Sequence, residues 1–205
     1  MADRIWIWLP EQRRQAVLRY LMAHADTIMH DPSGKLPLRS GGTTDLCFNL
    51  RNARSSPAAI RYLANTYAPA LSTLRSTLGI TRFAEVPHAL SGVAGLLSAE
   101  TDIPYITIRD SRKRGRASDA VMIGDCLPGD RVAIVDDVIA DGASMIPAID
   151  AIERRGATVA AILVLIDREA GWQEAFAGRR ISIPVWAGMS IAHAREALQQ
   201  IEEAA

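Results

Sequence analysis

The sequence predicts an α/β fold: a mainly parallel twisted sheet flanked by helices, with a small N-terminal segment in front of it. Three observations carry this. Residues 158–166, TVAAILVLI, are an unbroken apolar run, as in a parallel strand covered on both faces. Residues 131–144, RVAIVDDVIADGAS, start with the apolar run Val132, Ala133, Ile134 and Val135, meet two acids, Asp136 and Asp137, and turn through small residues into a helical pattern. From Arg82 onward, strand-like and helix-like stretches alternate, the spacing of parallel strands joined by crossovers.

The elements follow in order. Trp6 and Trp8 alternate like a strand or packed arm. Residues 11–28 carry Val17, Leu18, Leu21, Met22, Ala25 and Ile28 at helical spacing, with Pro10 suited to the first turn. The stretch HDPSGKLPLRSGGTTD is rich in turn formers and reads as loop and hairpin. CFNLR at 47–51 reads as a short strand. Ser56 and Pro57 read as N-cap and first residue of a helix that runs to just before Gly79. Then come a strand at RFAEV, a Gly-containing turn with Ser91, Gly92 and Gly95 leading into a helix, and a strand at 104–108. Arg109 to Gly124 is polar and basic without a period. After the acid-bearing strand, a helix over 145–155 stops at Gly156. The 158–166 strand, the loop DREAG, a strand at ISIPVWAG and a helix over 191–201 complete the chain.

The chain has 205 residues, 49% hydrophobic and 22% charged, which is ordinary for a globular domain. Zero formal net charge and a pI near 6.9 give no support for nucleic acid or an anionic membrane as bulk partner. No apolar run reaches the ~18 residues of a membrane span, and the start has no signal-peptide core. Cys47 and Cys126 lack metal-like spacing and are expected as reduced thiols of a cytoplasmic protein. His24, His30, His88 and His193 form no metal or triad spacing and are expected to be structural.

A buried strand that ends in acids and turns through a small-residue loop into a helix suits a phosphorylated sugar. Loop N–H groups and the helix N-terminus hold phosphate, while the acids hold hydroxyls or a magnesium-bound ligand. In a parallel α/β sheet such a site lies beyond the carboxyl ends of the strands, so the loops after Val86, Ile108, Val135 and Ile166 are expected to converge there. The turn at Ser91–Gly95 could approach a pyrophosphate through its backbone.

The stretch IVDDVIADGAS resembles the phosphoribosyl-pyrophosphate (PRPP) motif of type I phosphoribosyltransferases. Two further segments are similar to the orotate branch of that family. LRSGGTTDLCFNLR at 38–51 resembles its base-binding segment, with Ser40, Gly41, Phe48, Asn49, Leu50 and Arg51 in register. LIDREAG resembles its L-x-D-R-x-x-G motif.

The resemblance implies the type I phosphoribosyltransferase fold in one domain, with a hood over about 1–55 and a core over about 56–205. It implies that Asp136 and Asp137 meet the ribose hydroxyls, and that Ala140, Asp141, Gly142, Ala143 and Ser144 wrap the 5′-phosphate. Arg39, Phe48, Asn49 and Arg168 would bind the base, the Arg168 guanidinium pairing with the orotate carboxylate. Arg109 and Lys113 would belong to a catalytic loop that reaches a neighbouring subunit's pyrophosphate, and Asp137 would join them in catalysis. Mg²⁺ carried by PRPP, without a dedicated protein ligand set, and a homodimer are further implications.

Some positions depart from the pattern. Ala140 lacks the Thr hydroxyl common there, and Asp141 puts a carboxylate in a phosphate loop, so it is expected to turn to solvent. In the catalytic loop, Asp110 and Ser111 replace a Lys and a Glu, the usual His is absent, and Arg112, Arg114 and Arg116 add charge. The expected activity is orotate phosphoribosyl transfer in pyrimidine (UMP) biosynthesis. A phosphoribosyltransferase for another base and a non-catalytic PRPP-binding protein remain as alternatives.

Overall fold

A computed structural model describes residues 5–24, 27–37, 41–86, 88–109 and 122–204. Strand β1 (Ile5–Ile7) leads through Pro10 into α1 (Glu11–Met22), which buries Val17, Leu18 and Leu21. The helix is shorter than its apolar pattern suggests, and Ile28 belongs to β2 (Ile28–His30) instead. Thr27 explains the stop: its hydroxyl donates to the Leu21 carbonyl and its N–H to the His24 carbonyl, a local alternative to continued helix.

Strands β3 (Leu36–Pro37) and β4 (Thr43–Thr44) form the expected hairpin, and β5 (Leu46–Phe48) pairs antiparallel with β2. The strand expected over 47–51 ends at Phe48; Leu50–Ser55 is a 3-10 helix. These short elements make up most of the segment expected to form the hood.

Helix α2 (Pro57–Leu78) begins and ends as its sequence dictates. Ser56 Oγ accepts from the Ala59 N–H at 3.2 Å, Pro57 takes the first turn, and Gly79 closes the helix at φ 64°. The core then runs β6 (Arg82–Glu85), α3 (Ser91–Thr101), β7 (Tyr105–Ile108), β8 (Met122–Ile123), β9 (Arg131–Ile139), α4 (Met145–Glu153), β10 (Thr158–Asp167), α5 (Trp172–Gly178), β11 (Val185–Ser190) and α6 (Ile191–Glu203).

Among the described residues these strands build a seven-stranded sheet in the order β1-β11-β10-β9-β6-β7-β8. All pairs are parallel except β7 with β8. Alternate residues of the central strands feed two apolar layers. Ala133, Val135, Leu163 and Leu165 pack under α2, α3 and α6, whereas Val132, Ile134, Ile162 and Val164 pack against α4 and α5. Both faces are covered, and the two central strands are therefore apolar throughout their middles.

Three expectations are corrected here, and two elements are added. Strand β9 does not end at the acids but continues through them to Ile139, because Asp136 and Val138 stay in parallel register with Val164 and Ile166 of β10. Helix α4 ends at Glu153, with Gly156 at φ 78° two residues past the cap at Arg154. Strand β11 begins at Val185 rather than Ile181. Strand β8 and helix α5 were not expected at all.

The order of strands reverses between β6 and β9. From β6 the chain moves to β7 on one side, and after β9 it builds β10 and β11 on the other. Such a switch point leaves a crevice beyond the carboxyl ends of the two strands. Glu85 ends β6 beside Val135, so that crevice opens next to Asp136 and Asp137.

Candidate active site

The acid pair is built into the sheet. Asp136 is 6% exposed and Asp137 is half-buried. The Asp137 N–H donates to Asp136 Oδ1 at 2.9 Å. The Tyr67 hydroxyl, buried within α2, donates to the Asp136 carbonyl at 2.9 Å and braces the strand from below. Burial pushes both carboxyls up, Asp136 well above the ordinary carboxylate value, and the neighbouring Asp137 charge raises Asp136 further. Arg51 of the 3-10 helix works against this and favours both charged forms. Two carboxylates held side by side at a sheet end suit a ligand that brings hydroxyl donors or a cation.

The loop after β9 turns at Gly142, whose φ is 76°. A Cβ there would lie 3.0 Å from Phe176 Cε1 and 3.5 Å from Trp172 Cβ, so glycine is required for both conformation and space. Asp141 is exposed, as expected, but it is not idle: its Oδ1 accepts from the Ala143 N–H at 3.0 Å. One of the N–H groups assigned to phosphate is thus covered by the loop's own carboxylate. Ser144 is exposed, makes no side-chain cap bond, and leads into α4. Ala140 is half-buried, and its carbonyl accepts from the Trp172 N–H at 3.1 Å.

Arg168 stands just beyond β10. Its N–H donates to the Ile139 carbonyl at 2.9 Å, and Nη2 donates to Thr44 Oγ1 of the hood at 3.3 Å. The next residue, Glu169, has φ 53°, and its N–H donates to Asp167 Oδ1 at 2.8 Å. A guanidinium is therefore presented between hood and core, close to the acid strand.

Other arginines stitch the hood down. Arg54 donates to the His88 carbonyl in the loop after β6, and Arg195 of α6 grips Asp45 with two bonds of 2.6 and 2.8 Å. The Arg195 guanidinium lowers the Asp45 carboxyl to about 2. At the other strand of the switch point, Glu85 is buried and accepts from the hydroxyls of Ser91, the first residue of α3, and of Thr107 at 3.1 Å.

The structure brings Asp136, Asp137, the loop Ala140–Ser144 and Arg168 to one end of the sheet. Arg109 is half-buried at the end of β7. Asn49 lies between β5 and the 3-10 helix, its N–H on the Thr27 carbonyl at 2.7 Å. Phe48 is 8% exposed and belongs to the main apolar core. Arg39 and Lys113 lie outside the described residues, as do Ser40 and the catalytic-loop positions 110–116.

Residues 81–186, just over half of the chain, match the family model described as a phosphoribosyl transferase domain. The chain belongs to the phosphoribosyltransferases. An orotate phosphoribosyltransferase of Methanothermobacter thermautotrophicus is 30% identical over 173 residues, covering 84% of this chain and 89% of the relative. A solved structure of Leishmania donovani UMP synthase superposes with a TM-score of 0.76 at 25% identity, over 94% of this chain and 39% of that one. Orotate phosphoribosyltransferase from Aeropyrum pernix superposes at 0.67 and 23% identity, over 91% and 98% of the two chains, and shares the fold. The type I phosphoribosyltransferase fold inferred from IVDDVIADGAS is the fold observed.

Sequence reasoning missed several residues of this phosphoribosyltransferase's site. Thr44 and Asp45 sit inside a segment that was noticed for its neighbours. Tyr67 looks like any apolar position of α2. Glu85 carries a clear signal in hindsight, since a carboxylate at the end of an apolar strand needs partners. Trp172 follows a loop and heads a short helix, which gives periodicity nothing to detect.

Proposed function

We propose that this phosphoribosyltransferase transfers the 5-phosphoribosyl group of PRPP to orotate, giving orotidine 5′-monophosphate and pyrophosphate in pyrimidine biosynthesis. The observation that carries the reading is Arg168, fixed by the Ile139 carbonyl behind it and by Thr44 of the hood in front. A planar cation between hood and phosphate loop suits a planar substrate bearing a carboxylate.

Asp136 and Asp137 hold the ribose hydroxyls as acceptors; Tyr67 braces their strand, and Arg51 offsets part of the burial that pushes both carboxyls up. The loop Ala140–Ser144 holds the 5′-phosphate through its N–H groups and Ser144. Arg39 and Asn49 complete the base side, and Phe48 packs in the apolar core. As pyrophosphate departs, C1 of the sugar gains positive character, and Arg109 and Lys113 take up negative charge on the leaving group. The deprotonated orotate nitrogen needs no general base. The hood closes the site against water.

Among the described residues no group of three or more His, Cys, Asp or Glu side chains could hold a metal ion. Asp136 and Asp137 fit a Mg²⁺ that would arrive on PRPP and would be held mainly by the substrate. When bound, that ion neutralises pyrophosphate charge. The hood expected over about 1–55 and the core over about 56–205 act as one domain, with β1 of the first segment built into the core sheet beside β11. A homodimer that shares the loop after β7 and a cytoplasmic location complete the proposal; the free thiols of Cys47 and Cys126 support a reducing compartment.

The test follows orotate absorbance with PRPP and Mg²⁺. Orotate is consumed, and Arg168→Ala lowers kcat/KM for orotate by ~10- to 100-fold while the Kd for PRPP changes by less than about threefold. Turnover with another pyrimidine but not orotate overturns the choice of base. Equal loss of orotate use and PRPP affinity overturns the role given to Arg168.

A further inference from the structure

We propose that Trp172 and Asp167 are positioning residues that hold the loop after β9 and the Arg168 segment in one register, so that filling the loop with phosphate also orders the base anchor. The inference rests on the transferase reading and adds a link between its two subsites.

Trp172 is 1% exposed and touches both segments. Its backbone N–H donates to the Ala140 carbonyl at 3.1 Å, at the start of the phosphate loop. Its Cβ would be in contact, at 3.5 Å, with a side chain on residue 142, and its ring packs edge-on to Phe176, which crowds that space at 3.0 Å. Its indole Nε1 donates to Asp167 Oδ1 at 3.2 Å. That same oxygen accepts from the Glu169 N–H at 2.8 Å, so Asp167 and Glu169 bracket Arg168 in the chain. Arg168 itself hangs from Ile139, the last residue of β9.

The carboxylate of Asp167 is fully buried, and among the described residues Oδ2 has no hydrogen-bond partner. A buried carboxyl that spends one oxygen on two donors and leaves the other bare is costly. Its two bonds are the ones that join the Arg168 turn to Trp172. A displacement of the loop at Ala140 or Gly142 is therefore passed to the turn at Arg168 through one rigid indole. The link runs through the side chains of Trp172 and Asp167, both held by burial and by these bonds.

Hydrogen exchange followed by mass spectrometry tests this without any base present. In the wild-type protein, PRPP with Mg²⁺ slows exchange in peptides covering 140–146 and 167–173 together, each by about threefold or more. Protection confined to 140–146 overturns the proposal. Trp172→Phe keeps the ring and removes the donor. Without ligand it speeds exchange in both peptides and leaves those of α2 unchanged, and a response in only one of the two overturns the proposal. With ligand, the variant raises KM for orotate and Kd for PRPP by ~3- to 15-fold each. Asp167→Asn retains an acceptor oxygen and stays within about twofold of wild type, whereas an Asn variant as impaired as Trp172→Phe overturns the role given to Oδ1. Absence of PRPP protection anywhere in the wild-type protein overturns the transferase reading instead, and the ligand-free comparison then decides the link alone.

Discussion

Asp136 lies in the strand that leads into the turn and Asp141 in the turn itself, and the protein treats them in opposite ways. Asp136 lies inside a parallel strand, nearly sealed from water, with the Asp137 carboxyl beside it and only partial offset from the Asp137 N–H and Arg51. Asp141 sits at the surface and satisfies itself locally by accepting the Ala143 N–H. Each carboxylate accepts one backbone N–H, but the sheet holds Asp136 out of water whereas the loop leaves Asp141 in it. The first arrangement stores unfavourable free energy at the site, and the second covers a donor that a phosphate would use.

The largest test of this contrast is Asp136→Asn. The amide keeps the shape and the acceptor for the Asp137 N–H but carries no charge. Expected are a ~10- to 100-fold loss in kcat/KM for PRPP and a gain of about 1–3 kcal/mol in stability at neutral pH, read by urea unfolding. A carboxyl whose folded pKa is raised holds its proton more tightly in the folded state. The wild-type penalty is therefore absent below the ordinary carboxylate range, grows as pH rises and is complete above the raised value. Urea midpoints that fall with pH in the wild type and stay flatter in the variant support the contrast; parallel profiles break it.

Next in size is Gly142→Ala, which puts a Cβ into a left-handed turn and against Phe176. It should cost about 1–2 kcal/mol in a thermal melt and weaken PRPP binding as well. A stable variant with unchanged Kd would mean that the loop's conformation is not what holds phosphate.

Asp141→Asn sharpens the other side. The amide oxygen still accepts from Ala143, but the loop loses a negative charge close to where the phosphate would sit. PRPP should bind about three- to tenfold tighter at low salt, with the advantage shrinking as ionic strength rises. Unchanged affinity at every salt would show Asp141 to be spectator rather than competitor.

The smallest effect belongs to an exposed pair. Asp45 is held near 2 by Arg195, below the ordinary carboxylate value, so its contribution is complete above about pH 4 and is lost as pH falls through about 2. Arg195→Gln should remove only ~0.2–1 kcal/mol, because both side chains are wet and screened. Orotate KM should nevertheless rise about twofold, since Thr44 beside Asp45 is what steadies Arg168. A KM equal to wild type would uncouple the clasp from the base side.

Much of this could be read in the sequence where local chemistry and tertiary role agree. Ser56, Pro57 and Gly79 delimit α2 because caps and turns are local decisions. TVAAILVLI is apolar on both faces because both faces are covered. The acids of β9 misled in one respect: charged residues look like the end of a strand, yet Asp136 is held in register by β10 on one side and Tyr67 beneath. Helix α5 and strand β8 are too short to show a period. The site's connections were the least legible part. That Arg168 meets Thr44, or that Trp172 meets both Ala140 and Asp167, depends on chain segments brought together by the sheet order, and no local pattern encodes it.

The pairing of β1 with β11 has a consequence for how the molecule is assembled. Ile5, Trp6 and Ile7 align with Val185, Trp186 and Ala187, and Trp6 stacks on Trp186 at a centroid distance of 5.9 Å. An early segment of the chain therefore has no sheet to join until one of its last strands exists. During synthesis β1 must wait, apolar and unpaired, while β6 to β10 fold, and its docking closes a contact that spans nearly the whole chain. Substitutions in β1 should then leave the folding rate of the core nearly unchanged and speed its unfolding, the kinetic signature of a strand that arrives last.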